Sequence, residues 1–133
     1  FEKIDLILSP AIGGIVVGYE VGRQLNKETI FVERVKSELE LRRGFMIPEK
    51  SNVLIVEDVI TTGKSVLECS KIVKLNNANL LGYACIIDRS NKDILLKEKI
   101  ISQVKLEITT FDKTQIPSEL SSILPVKPGS RNL

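Results

Sequence analysis

The chain has no histidine. Ser–His–Asp and Cys–His catalysis are thereby excluded, as is any His-ligated metal. Cysteine is scarce. Cys69 and Cys85 match no metal-ligand spacing and read as buried thiols of a reducing compartment, expected to be the cytoplasm. No apolar run approaches the ~20 residues that a membrane helix needs. The net charge of +2 is too small to argue for a nucleic-acid or membrane surface, so neither is expected as a partner. Repeats, low-complexity tracts and internal linkers are missing too. What remains is an ordinary apolar content of 43% in 133 residues, enough for one domain with its own core.

The most informative stretch is Asn52 to Glu68, NVLIVEDVITTGKSVLE. Val53 to Val56 reads as a short buried strand, being apolar and mostly β-branched. Glu57 and Asp58 follow, then Val59 and Ile60, then the small polar run Thr61-Thr62-Gly63-Lys64-Ser65. A helical pattern opens with Val66 and Leu67. In an open parallel sheet, ligands bind beyond the carboxyl ends of the strands. The turn can point several N–H groups at one spot, and the helix start adds its dipole, which suits a phosphate. Gly63 supplies positive φ, and the hydroxyls of Thr61, Thr62 and Ser65 can donate. The two acids would repel a phosphate, so ribose hydroxyls are their natural partners. Gly63-Lys64-Ser65 imitates the end of a Walker A loop, but Asp58 stands where that motif needs glycine.

Other segments fit around this one. Ile4 to Leu8 predicts a strand. Ser9-Pro10-Ala11-Ile12-Gly13-Gly14 is a tight turn into a helix whose apolar run, Ile15 to Leu25, predicts that it is largely buried. Thr29 to Val32 is a second strand. Glu33 to Ile47 is a protruding hairpin or loop carrying Arg34, Lys36, Arg42 and Arg43. These cations either neutralise an anionic ligand or belong to a solvated hairpin balanced by Glu33, Glu38 and Glu40. Asn76 to Asn79 is a turn, and Leu80 to Ile87 a buried strand. Beyond it Arg89 could fork onto a carboxylate, or close the strand by pairing with Asp88. Ile94 to Ile101 reads as a short helix with Lys92, Lys97 and Lys99, Val104 to Thr109 as an edge strand, and Ile116 to Leu124 as a small helix opened by Pro117 and Ser118. The tail PVKPGSRNL reads as irregular. Alternating strands and helices predict an α/β fold, a mostly parallel sheet flanked by helices.

The string EDVITTGKS resembles the signature of the type I phosphoribosyltransferases, which bind 5-phosphoribosyl 1-pyrophosphate (PRPP). FVER…LRRGF, the Arg of Asp88-Arg89-Ser90 and the tail resemble one branch of its orotate enzymes. The resemblance implies the Rossmann-like type I fold and catalytic Glu57 and Asp58 holding the ribose. It implies PRPP bound along Glu57, Asp58, Val59, Ile60, Thr61, Thr62, Gly63, Lys64 and Ser65. Thr61 and Arg89 would bind orotate, and Ala11, Ile12, Gly13 and Gly14 form the pyrophosphate loop. Some relatives carry lysine where Gly13 stands, so backbone amides would do that work here. Arg34 and Lys36 are the candidate mobile-loop cations, although the loop is shorter than in the orotate enzymes and lacks their histidine. Mg²⁺ held through the substrate and a homodimer are also implied. Residues 1–133 are expected to be the core domain, short of an amino-terminal lid over the base. Two alternatives share the ribose site: a purine phosphoribosyltransferase and a non-enzymatic PRPP sensor.

Overall fold

The computed structural model describes residues 1–91, 94–109, 111, 114–124 and 126. Strands β1 (Leu6–Pro10), β2 (Glu28–Val35), β3 (Glu38–Leu41), β4 (Asn52–Ile60), β5 (Asn79–Asp88) and β6 (Ile100–Lys105) form one sheet in the order β3-β2-β1-β4-β5-β6. Its pairings are parallel except for the antiparallel β2–β3 pair. Helix α1 (Gly13–Leu25) joins β1 to β2, α2 (Lys64–Leu75) joins β4 to β5, and α3 (Ser118–Ser121) is a single turn. This is the mostly parallel α/β sheet that the alternation of elements predicts.

Strand parity sorts the core into two layers. Leu6, Leu8, Val53 and Ile55 pack with Val66, Cys69 and Val73 of α2. Their neighbours Ile7, Leu54 and Val56 pack with Val17 and Val21 of α1. The two helices therefore cover opposite faces, and the central strands are apolar on both sides. β1 accompanies β4 only from Val53 to Ile55, whereas β5 follows β4 as far as Ile60. Past Ile55 the pairing of β1 with β4 ends, at the point where the strand order reverses, the usual place for a ligand in an open α/β sheet.

Helix α1 is not largely buried. Its fully buried residues are Gly14, Gly18 and Gly22, while Val16 is 75% and Tyr19 63% exposed. The three glycines recur every fourth residue and so share one face. A Cβ on Gly18 would land on Ser9 Oγ, and one on Gly22 on Thr29 Oγ1. The backbone of α1 itself lies on the sheet, which leaves its larger apolar side chains outside. The helix ends at Asn26 in the left-handed conformation (φ 51°), whose N–H bonds the carbonyls of Gly22 and Arg23.

Several expected boundaries move. The first three predicted strands are longer or shifted, and β4 runs on through the acid pair to Ile60. The predicted helix at Ile94 to Ile101 is absent. Residues 94–97 are irregular, and Ile100 begins β6 by pairing with Tyr83. The predicted edge strand at Val104 to Thr109 is that same β6, lying earlier in the chain and at the sheet edge. Pairing with β5 decided this, a non-local effect that local spacing does not carry. The helix expected at Ile116 to Leu124 shrinks to α3, with Pro117 as its cap. Lys92 and the tail, apart from Val126, lie outside the described residues.

Candidate active site

At the end of β4 the chain turns through Thr61 and Thr62 to Gly63, which caps α2 with φ 75°. That conformation suits glycine. The first helical bond runs from Leu67 N–H to Gly63 O at 2.9 Å. Amides ahead of Leu67 are therefore left over by helix geometry. Only a long bond of 3.4 Å ties Lys64 N–H to Thr62 Oγ1, and no side chain caps the helix. The first turn of α2 has no acidic residue to oppose an anion. Glu57, Val59, Ile60 and Thr61 to Val66 line a pocket of about 170 Å³.

Eight of the nine residues expected to bind PRPP thus meet in one pocket. The ninth, Asp58, turns the other way, toward the start of α1. A Cβ on Gly13 would overlap its carboxylate, and one on Gly14 would lie 3.0 Å from Glu57 Oε1. Asp58 Oδ1 accepts the Val59 N–H at 2.8 Å, and Glu57 Oε1 accepts the Asp58 N–H at 3.1 Å. Glu57 is buried and lies beside two thiols. Burial, aided by this nearby charge, pushes the Cys69 thiol well up; burial and Asp88 raise Cys85 to about 11. Both thiols are free, and both stay protonated at neutral pH. The acid pair therefore bridges the phosphate-like turn of α2 and the Ala11–Gly14 turn, whose Ala11–Ile12 peptide is cis.

The other candidates sit around this centre. Arg89 N–H donates to Ile60 O at 2.8 Å, which fixes Arg89 to the end of β4. Its Nε is buried with no hydrogen-bond partner. Asp88 does not pair with it; that carboxylate bonds Ser90 N–H at 2.8 Å instead. Arg34 donates to Glu68 on α2 at 2.6 Å and to Ser37 O at 2.6 Å. Glu68 lies four residues past the helix start, about one turn from the pocket. Lys36 occupies the exposed hairpin turn with φ 55° and does not line the pocket. Arg43 grips Glu33 with two 2.8 Å bonds. The side chains of Ile94 and Leu96 lie over Gly63, 3.0 to 3.3 Å from where a Cβ would be. Nothing in the local pattern announces that contact.

The phosphoribosyl transferase domain family matches residues 1–121. The chain is a member of the phosphoribosyltransferase family. An orotate phosphoribosyltransferase of Methylorubrum extorquens (strain PA1) is 46% identical over 134 residues, covering all of this chain and 68% of the relative. Among solved structures, adenine phosphoribosyltransferase from Saccharomyces cerevisiae is 26% identical with a TM-score of 0.65, over 77% of this chain and 67% of that one. Orotate phosphoribosyltransferase from Aeropyrum pernix is 20% identical with a TM-score of 0.66, over 78% and 62%, and shows the shared type I fold. The chain spans about two thirds of the length of these proteins.

The crowding at Gly13 gives this phosphoribosyltransferase a sensitive point. Gly13→Ala forces the Asp58 side chain to move, because the new methyl needs its space. Gly13 itself is exposed, so the core is spared. With Asp58 in the ribose-holding role proposed below, kcat/KM is expected to fall about 10-fold to 100-fold, the scale of a small misplacement at a reacting centre, with little change in Tm. Activity within twofold of the parent would show that Asp58 has room to spare.

Proposed function

We propose that the protein transfers the 5-phosphoribosyl group of PRPP to orotate, giving orotidine 5′-phosphate and pyrophosphate. The names of its sequence relatives support this. The observation that carries the choice of base is Arg89, a half-buried residue whose backbone is tied to Ile60 of the pocket wall and whose Nε has no hydrogen-bond partner. A carboxylate accepts a fork from such a group, and purine bases carry no carboxylate.

In the reaction the anomeric C–O bond to pyrophosphate breaks, a bond to the orotate ring nitrogen forms, and the proton of that nitrogen leaves to water. Positive charge grows on the ribose ring and negative charge on the leaving group. Glu57 and Asp58 hold the ribose hydroxyls and favour the ring's charge. Thr61 to Ser65 anchor the 5′-phosphate, with Val59 and Ile60 forming the pocket wall. Amides of Ile12 to Gly14 receive the pyrophosphate, since the Ala11 N–H is already bonded to Val32 O at 2.8 Å. Thr61 and Arg89 hold orotate. Arg34 can serve the pyrophosphate only by giving up Glu68, and Lys36 reaches it only if the hairpin tip moves.

Among the described residues no group of three or more acids, cysteines or histidines converges as a metal cage. An adjacent acid pair beside a phosphate pocket suits Mg²⁺ held mainly by substrate oxygens and water. Bound there, Mg²⁺ would neutralise charge on the pyrophosphate. The same reading makes residues 1–133 one core domain of a cytoplasmic homodimer.

The test is formation of nucleotide and pyrophosphate from PRPP with orotate, adenine or hypoxanthine. Activity with orotate is expected. Activity with a purine alone would overturn the choice of base, and PRPP binding without turnover would favour a sensor. Arg89→Ala should raise the KM for orotate about 10-fold to 100-fold, the scale of one charged hydrogen-bonded pair, and change kcat less. Equal loss in every parameter would instead mark Arg89 as structural.

A further inference from the structure

Asp88 is a buried acid that the proposed chemistry does not use. It ends β5, is 5% exposed, and is held from several sides. Its carbonyl accepts the Leu106 N–H at 2.8 Å. Its Oδ1 accepts the Ser90 N–H at 2.8 Å, which closes the chain tightly around Arg89. Its Oδ2 lies 3.8 Å from Lys105 Nζ, at the end of β6. On the far side, Arg89 N–H is tied to Ile60 O. An acid next to an arginine in sequence can neutralise it. Here both carboxylate oxygens are engaged elsewhere, and the Arg89 Nε is left without a partner.

We infer that Asp88 is a positioning residue for Arg89. It locks the β5 turn so that the guanidinium is presented to the carboxylate of the base substrate, and Lys105 holds the Asp88 charge away from that guanidinium. Lys105 lines a cleft with Ser90, Asn91, Glu107, Ile108 and Thr109, so it flanks the same turn from the β6 side. Its side chain is 62% exposed while that of Asp88 is 6% exposed. Asp88 therefore supplies the fixed geometry, and Lys105 a weaker, salt-screened contribution. This inference rests on the orotate reading above.

The test measures steady-state kinetics and thermal melting of Asp88→Ala, Asp88→Asn and Lys105→Met in the native polypeptide. Asp88→Ala is expected to raise the KM for orotate about tenfold, the scale of a lost buried hydrogen bond. Its kcat and its KM for PRPP should stay within about twofold. Asp88→Asn keeps an acceptor for Ser90 N–H and should restore most of the orotate affinity. Lys105→Met should raise the orotate KM about threefold at low salt, an effect that added salt removes. An unchanged orotate KM in Asp88→Ala overturns the inference. So does a loss spread evenly over kcat and both KM values. If Asp88→Ala does not fold, Lys105→Met decides, and an unchanged orotate KM at low salt overturns it. A parent protein that ignores orotate refutes the proposed function. A parent that uses orotate, with Asp88→Ala unaffected, refutes only the role of Asp88.

Discussion

Asp58→Asn is expected to lower kcat/KM by about two to three orders of magnitude, the loss typical of removing one electrostatic stabiliser of a transition state, and to leave Tm almost unchanged. The variant isolates charge from shape. Asn retains an acceptor for the Val59 N–H that Asp58 Oδ1 now binds at 2.8 Å, and it fits the same space against Gly13. Asp58 is half-exposed near the end of β4, so the fold loses little. In the proposed reaction, what disappears is a full negative charge next to a ribose ring that becomes cationic as pyrophosphate departs. In a partly water-excluded site such a charge counts for far more than on an open surface. Steady-state kinetics and a melting curve on the same preparation check the expectation. Activity within about threefold of the parent would remove Asp58 from the chemistry.

Gly18→Ala should cost the fold substantial stability. The new Cβ would coincide with Ser9 Oγ and lie 3.1 Å from Ser9 Cβ, and Ser9 is fully buried. Helix α1 must rise off the sheet or β1 must sink. Overpacking of this kind costs about 1–3 kcal/mol, or roughly 5–12 °C in Tm for a domain of this size. A companion variant makes the interpretation sharp. Ser9 Oγ is buried without a partner, so Ser9→Ala alone should be neutral or slightly stabilising. Combined with Gly18→Ala it should recover part of the loss, because the two sites share one space. Additive effects in the double variant would mean that the methyl is accommodated elsewhere.

Sequence and structure agree best where the relevant forces are local. The β-branched run at Val53 to Val56, the Thr-Thr-Gly turn and the apolar rhythm of α2 each shape their own backbone, and the pocket forms from them. Helix α1 shows the opposite case. Counting its apolar residues suggests burial, but contact with the sheet is set by what the helix lacks on one side. The repeat of glycine at 14, 18 and 22 was the readable signal. The segment Ile94 to Ile101 has helix-like spacing, yet its end is strand because β5 offers an edge. Asp88 and Lys105 could not be linked from sequence, since β5–β6 register alone brings them together. Likewise, no local pattern tells that Ile94 and Leu96 cover Gly63.

One consequence follows from Glu57 and Asp58 being consecutive residues of a strand, whose side chains leave it on opposite faces even though both carboxylates come close to the start of α1. Deleting or inserting a single residue between Val53 and Val56 would exchange the two acids between sides and turn the apolar residues ahead of them outward or into the wrong layer. A point change in this stretch disturbs the packing of one side chain, whereas a length change shifts every side chain beyond it. Drift in family length should therefore collect in the hairpin and in the β5–β6 connection, and designed insertions belong there.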